Sequence, residues 1–190
     1  MFDITFPEWD KDLFVYLNGM HHPWLDPVMA FLSSYISWIL VCLGIIIYMI
    51  YKGRSHGLRA SFFMLLGVGI NSLVNNVIKF IIMRPRPGHE ISLQDIIRQL
   101  EDAGTSYSFF SAHSSNSICM ALFVALYFKN KYLSIAAFAW ALIVAYSRIY
   151  VGKHYPLDVM IGILFGIFTG SFSYWIYCRY CERKSLSPMP

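Results

Sequence analysis

Three short polar clusters hold the residues of this chain that can do chemistry. One is Ser147-Arg148-Ile-Tyr-Val-Gly-Lys-His154-Tyr-Pro-Leu-Asp158, which sets an arginine, a histidine and a carboxylate between two apolar runs. Lys79 to Arg86 and Ser111 to His113 occupy similar junctions. Ionisable groups at the edge of a membrane-spanning bundle are costly, so their clustering there marks a functional site. Together they offer several cations, a candidate nucleophile and an orienting carboxylate. That set suits the cleavage of a phosphate ester at a membrane surface.

The elements that must position these clusters are apolar helices. Hydrophobic residues make up 57% of the 190 residues and charged residues 14%, against roughly 45–50% and about 25% in soluble domains. Several runs approach the roughly 20 residues that cross a hydrocarbon core. The expected architecture is all-α, a polytopic helical bundle of about five to six transmembrane helices, with residues 1–190 forming a single membrane-embedded domain. Residues 8–20 predict a short helix lying in the interface, with Trp9, Leu13 and Leu17 opposite Asp10, Lys11 and Asp12. A helix packed on top of the bundle is the alternative, and neither form is expected to carry chemistry.

Spans are expected at about Pro27 to Tyr51, Leu58 to Met83, Ser111 to Phe128, Tyr132 to Tyr150 and Pro156 to Tyr177. Pro85 and Pro87 end the second, because proline lacks a donor and clashes with the preceding turn. Residues 84–110 form a polar connection with a short helix near 91–103. Asn71, Asn75 and Lys79 recur every four residues and share one helix face, which must look into the bundle and end at the site. Gly162, Gly166 and Gly170 form a ridge of small residues, suited to close packing within the bundle or to a dimer interface.

Charge sets the orientation. The net charge of +4 is modest and concentrates in short loops, which reads as topology and not as a nucleic-acid surface. Lys52, Arg54 and Arg59, Lys129 and Lys131, and Arg179, Arg183 and Lys184 fall on one side of the five-span arrangement. Loops rich in Lys and Arg stay cytoplasmic. The three clusters and the 84–110 loop are therefore expected on the extracytoplasmic face of a cytoplasmic (inner) membrane. The acidic first residues argue against a cleavable signal, so the first span is expected to direct targeting. The four cysteines show no metal or disulfide pattern, and His21, His22, His56 and His89 read as interfacial or loop residues.

The spacing Lys79-x6-Arg86-Pro87, then Ser111-Ala112-His113, then Ser147-Arg148-x5-His154-x3-Asp158, resembles the type 2 phosphatidic acid phosphatase family, which also includes vanadium haloperoxidases. The resemblance covers residues from about 60 to 175. The middle motif departs from the usual Pro-Ser-Gly-His, reading Phe110-Ser111-Ala112-His113, so the turn must form without its glycine.

The resemblance implies a role for each residue. Lys79, Arg86, Ser111 and Arg148 would bind substrate phosphate, the arginines gripping two oxygens at once. His154 would attack phosphorus and form a phosphohistidine, and Asp158 would hold its other ring nitrogen. His113 would be the general acid for the leaving lipid oxygen. No carboxylate cluster suggests a metal site, so no metal or cofactor is expected. The partners expected are a lipid phosphate substrate and the bilayer, with no nucleic acid. Relatives implied by the resemblance hydrolyse undecaprenyl diphosphate, phosphatidylglycerol phosphate, phosphatidic acid or lipid A phosphates. Two rival readings are a lipid phosphotransferase using the same phosphohistidine, and a transporter using the Asn71–Asn75–Lys79 face as a pathway. Arg84 and Lys153 are left between substrate contact and headgroup contact. Lys79 and Arg148 taken singly could instead snorkel to the interface.

Overall fold

The computed structural model describes residues 5–184. Met1 to Ile4, part of the acidic start read against a signal peptide, lie outside the described residues. The chain runs α1 (Glu8–Gly19), α2 (Asp26–Ser33), α3 (Tyr35–Gly53), α4 (Ser55–Ile82), α5 (Ala112–Phe128), α6 (Lys131–Tyr150) and α7 (Pro156–Arg183). Single 3-10 turns occur at Pro87–His89 and Ile91–Leu93. α3, α4, α6 and α7 are long and apolar enough to cross a bilayer, and α5 is a shorter apolar helix. The all-α membrane bundle expected from composition is the observed architecture.

The expected first span is two helices. Ser34 is extended (φ −73°, ψ 152°), and its Oγ accepts from Ser37 N at 3.2 Å, capping α3 as serine commonly does. In an unbroken helix Ser37 N would instead bond Ser33 O, so the break frees that carbonyl.

The helix expected near 91–103 is absent, replaced by the 3-10 turn at Ile91–Leu93 and irregular chain. Two backbone donors in its second half serve other elements: Arg98 N donates to Asn18 Oδ1 at 2.8 Å and Leu100 N to Val151 O at 3.2 Å. The inward face of α1 also differs from the expectation. Asp10, Phe14 and Asn18 are buried, whereas Trp9 is 47% exposed. The helix packs on α6 and α7, and Asn18 Nδ2 donates to Tyr150 O at 2.9 Å. Helical spacing alone puts Asp10 on the polar outer face, because it shows which residues share a side, not which side finds a partner.

α5 is the central helix. Eleven of its 17 residues are buried, and it packs against α4, α6 and α7. The glycine ridge of α7 makes the last contact close. A methyl group on Gly166 would lie 2.4 Å from Ser115 O, and one on Gly162 would lie 2.8 Å from Ser111 O. The ridge therefore joins two helices of one chain, and it brings the start of α7 against the start of α5. At the other end, Met64, Phe123, Tyr127 and Tyr177 fill the core. Leu73, Phe80, Ile135, Leu142, Leu164 and Phe168 are exposed on the outside, as expected of side chains that meet lipid.

Candidate active site

Each cluster is held at a helix end by local chemistry. Met83 in the left-handed region (φ 51°) ends α4, and Arg84-Pro85-Arg86 leads away without helix, Arg86 being extended before the 3-10 turn that opens at Pro87. Ser111 caps α5, its Oγ accepting from Ser114 Oγ at 2.8 Å and Ser114 N at 3.4 Å. Ala112 is the first helical residue and is not among the positive-φ residues, so this turn does not need the missing glycine. After α6, Gly152 adopts φ 83° and the chain doubles back, with Lys153 N and His154 N donating to Arg148 O at 3.0 and 3.2 Å. Pro156 then opens α7, and Asp158 in its first turn accepts from Tyr155 N at 3.1 Å.

These ends converge on a cavity of about 240 Å³ lined by Lys79, Arg86, His113, Arg148, Lys153 and His154, with Tyr35, Asn75 and Asn76 beside them. Lys79 Nζ donates to Tyr107 O at 2.6 Å, and Arg86 Nε to Ser106 O at 2.9 Å. Arg148 Nη1 donates to the freed Ser33 O at 2.6 Å, and its Nε is buried without a partner. The His113 ring lies 4.7 Å from the Tyr35 ring, and its Nε2 is likewise buried and unpartnered. At the edge of this group Glu101 Oε2 meets Lys153 Nζ at 2.7 Å. Burial opposes ionisation of Glu101, but hydrogen bonds from Lys153 and Ser33 and the Arg148 charge hold its carboxyl below the usual range.

His154 is 2% exposed. Burial, then the charges of Lys79, Arg148 and Arg86, push its imidazole well below the ordinary histidine range. The ring is therefore neutral at physiological pH, with a lone pair available. Its Nδ1 lies 3.5 Å from Asp158 Oδ2, an electrostatic contact longer than a hydrogen bond.

Of the residues singled out from sequence, Lys79, Arg86, His113, Arg148 and His154 share the cavity wall. Asp158 stands directly behind His154. Ser111 is fully buried and its hydroxyl is used in the α5 cap, outside the cavity lining. The Asn71–Asn75–Lys79 face looks inward: Asn71 Nδ2 donates to Ser115 Oγ at 2.9 Å and Asn75 Nδ2 to Phe110 O at 2.6 Å. Lys153 lines the cavity. Arg84 does neither thing expected of it. It lies behind the site, with Nη1 2.7 Å from Asp158 Oδ1 and Nη2 2.5 Å from Asp10 Oδ2. Sequence reasoning missed this pairing because Asp10 lies far from the clusters that hold Arg84 and Asp158, and it also missed Tyr35 and Glu101, which belong to no spaced cluster.

The chain is similar to several known phosphatases. The chain is 29% identical over 176 residues to a lipid A 4'-phosphatase of Porphyromonas gingivalis, covering 90% of this chain and 73% of the relative. It is 28% identical over 163 residues to the undecaprenyl-diphosphatase BcrC of Bacillus subtilis, covering 84% and 79%. A crystal structure of a transmembrane PAP2-type phosphatidylglycerolphosphate phosphatase from Bacillus subtilis superposes with a TM-score of 0.71 at 25% identity, covering 93% of this chain and 86% of that one. The PAP2 superfamily matches residues 60–180, a stretch that contains all three polar clusters. The protein is a member of the PAP2 superfamily.

Proposed function

We propose that this protein is an integral membrane phosphatase that hydrolyses a lipid-linked phosphate monoester or diphosphate through a phosphohistidine on His154, with no metal ion or cofactor. The observation that carries the reading is a buried His154 in the wall of a cavity that Lys79, Arg86, Arg148 and Lys153 also line, burial and the first three of those cations lowering its pKa. Those cations neutralise the charge that phosphoryl transfer places on the equatorial oxygens, and in a low-dielectric pocket they act strongly.

The His154 lone pair attacks phosphorus, and the bond from phosphorus to the lipid oxygen breaks. His113 gives that oxygen its proton, the negative charge of the bound phosphate favouring the protonated ring beforehand. Water then attacks the phosphohistidine and loses a proton to His113, releasing inorganic phosphate and free His154. Asp158 stabilises the ring of residue 154 while it carries positive charge.

A second cavity, of about 340 Å³, adjoins the first and shares Tyr35, Asn75, Asn76, Ala112 and His113 with it. Trp38 and Val68 also line it, giving an apolar path between α3, α4 and α5 for the lipid portion. The basic ends of the helices lie opposite the site, and because loops rich in Lys and Arg stay cytoplasmic this supports chemistry on the extracytoplasmic face of the inner membrane. The relatives named for lipid A and undecaprenyl diphosphate put those lipids first among substrates to try.

Phosphate release from purified protein, with lipid A, undecaprenyl diphosphate, phosphatidylglycerol phosphate and phosphatidic acid as substrates, tests the reading. Release from at least one lipid in water, lost in His154→Ala, is the expected result. Phosphate that appears only when a lipid acceptor is supplied, and then on the acceptor, would make it a phosphotransferase.

A further inference from the structure

Arg84 is 4% exposed and Asp10 and Asp158 are fully buried, so three charges lie together behind the cavity. The Arg84 guanidinium is clamped between the rings of Phe6 and Tyr155, 3.9 and 3.8 Å from its central carbon. One nitrogen bonds Asp158 Oδ1 and another bonds Asp10 Oδ2. The second oxygen of each carboxylate accepts from a free amide at the start of α7: Asp158 Oδ2 from Tyr155 N at 3.1 Å, and Asp10 Oδ1 from Leu157 N at 2.8 Å. Burying three charges is expensive, and apolar side chains of similar volume often serve a fold as well. The place of these charges beside His154 points to the neighbouring imidazole.

We propose that Asp10 and Arg84 are positioning residues for the nucleophile, forming a chain of charges Asp10–Arg84–Asp158 that fixes the carboxylate behind His154 and keeps it net negative. The inference rests on the reading of His154 as the phosphate acceptor. Two physical points support it. Arg84 holds Asp158 Oδ1, which leaves Oδ2 as the atom facing His154 Nδ1 at 3.5 Å. The clamped guanidinium cannot swing, so the carboxylate cannot rotate without breaking a charged bond.

The second point is the charge count. Arg84 with Asp158 alone is a neutral pair, and a neutral pair does little for an imidazole that becomes cationic as its bond to phosphorus forms. Asp10 returns one negative charge to the group. Because Asp10 lies on α1, before residues 60–180, the N-terminal helix becomes part of the reaction machinery.

Kinetics of the purified full chain test this, using whichever of the four lipids above the wild type turns over fastest. Asp10→Asn is expected to lower kcat about 10-fold with KM within about twofold, because its target is a group that acts on the nucleophile. Asp10→Glu should restore kcat to within about threefold of wild type. In an Asp158→Asn background, Asp10→Asn should add less than about a twofold further loss, since both act through one carboxylate.

Wild-type kcat in Asp10→Asn, or losses that multiply in the double variant, would overturn the proposal. If Asp10→Asn does not fold, Arg84→Lys replaces it: the lysine keeps the charge but loses the fork, so the same fall in kcat is expected and an unchanged kcat overturns the idea. His154→Ala is assayed alongside. Turnover remaining there sinks the nucleophile assignment itself, whereas a dead His154→Ala beside a fully active Asp10→Asn sinks only the positioning role.

Discussion

Glu101 Oε2 lies 2.7 Å from Lys153 Nζ and 3.9 Å from Arg148 Nη1, so the protein presents a carboxylate of its own to cations that line the cavity. A substrate phosphate must compete with that carboxylate for both groups. Glu101→Gln keeps the shape and removes the charge. It is expected to lower KM about 3- to 10-fold with kcat little changed, the signature of altered ground-state binding. A raised KM in initial-rate assays would show that Glu101 instead holds the loop in place.

His154→Ala should abolish phosphate release while the protein keeps its elution profile and melting temperature. Orthovanadate, which takes up the five-coordinate geometry of the reacting phosphorus, should inhibit the wild type. Chelators should leave the rate unchanged, because Lys79, Arg86 and Arg148 provide the positive charge. A rate that disappears with chelator and returns with a divalent cation would contradict this account.

The pH dependence follows from the surroundings of His154. Its folded value lies well below 6.5, lowered first by burial and then by Lys79, Arg148 and Arg86. Protonation would remove the lone pair, and it occurs only at pH values below that of an ordinary imidazole. The rate should therefore show no His154-linked loss as pH falls through about 6.5. A decline in kcat/KM with its midpoint at or above that value, traced to His154 by NMR of the labelled ring, would contradict the placement.

Arg148→Lys preserves charge but not the planar fork. The arginine reaches both the cavity and Ser33 O, and a lysine has one nitrogen for these tasks. A loss of roughly 100-fold in kcat/KM is expected, the scale on which a single anion-stabilising donor acts. Activity within about threefold of wild type would show that a point charge is enough.

Gly166→Val places side-chain atoms where one methyl would already lie 2.4 Å from Ser115 O. Overpacking of this kind costs about 1–3 kcal/mol, and a lower melting temperature should follow. Gly44→Ala is the control, since nothing lies within 4 Å of a methyl at that position. Equal melting temperatures for the two variants would mean that the α5–α7 contact is looser than described.

The legible parts of the sequence were those with short-range cause. Proline at 156 after an extended Tyr155, serine at 111 before a helix and asparagines spaced by four each state a local geometry. Once the helices are antiparallel, their ends meet. The Asp10–Arg84 pair was not legible, because its partners are 74 residues apart and neither sits in a periodic pattern that names the other. The break at Ser34 was hidden for a different reason: Ser33, Ser34 and Ser37 interrupt an apolar run without a proline or glycine to mark a stop, and only a side-chain hydroxyl competing for Ser37 N reveals it. Residues 91–103 differ because their apolar spacing mimics a helix while the amides of Arg98 and Leu100 bond other elements.

That break at Ser34 has an evolutionary consequence. The oxygen it frees to anchor Arg148 belongs to the main chain, so no substitution at residue 33 deletes it, although the Ser33 hydroxyl accepts from the same Arg148 nitrogen and that second bond goes with the serine. Ser34 guards the carbonyl: restoring a continuous helix through it would return that oxygen to Ser37 N and take the main-chain tether from the guanidinium.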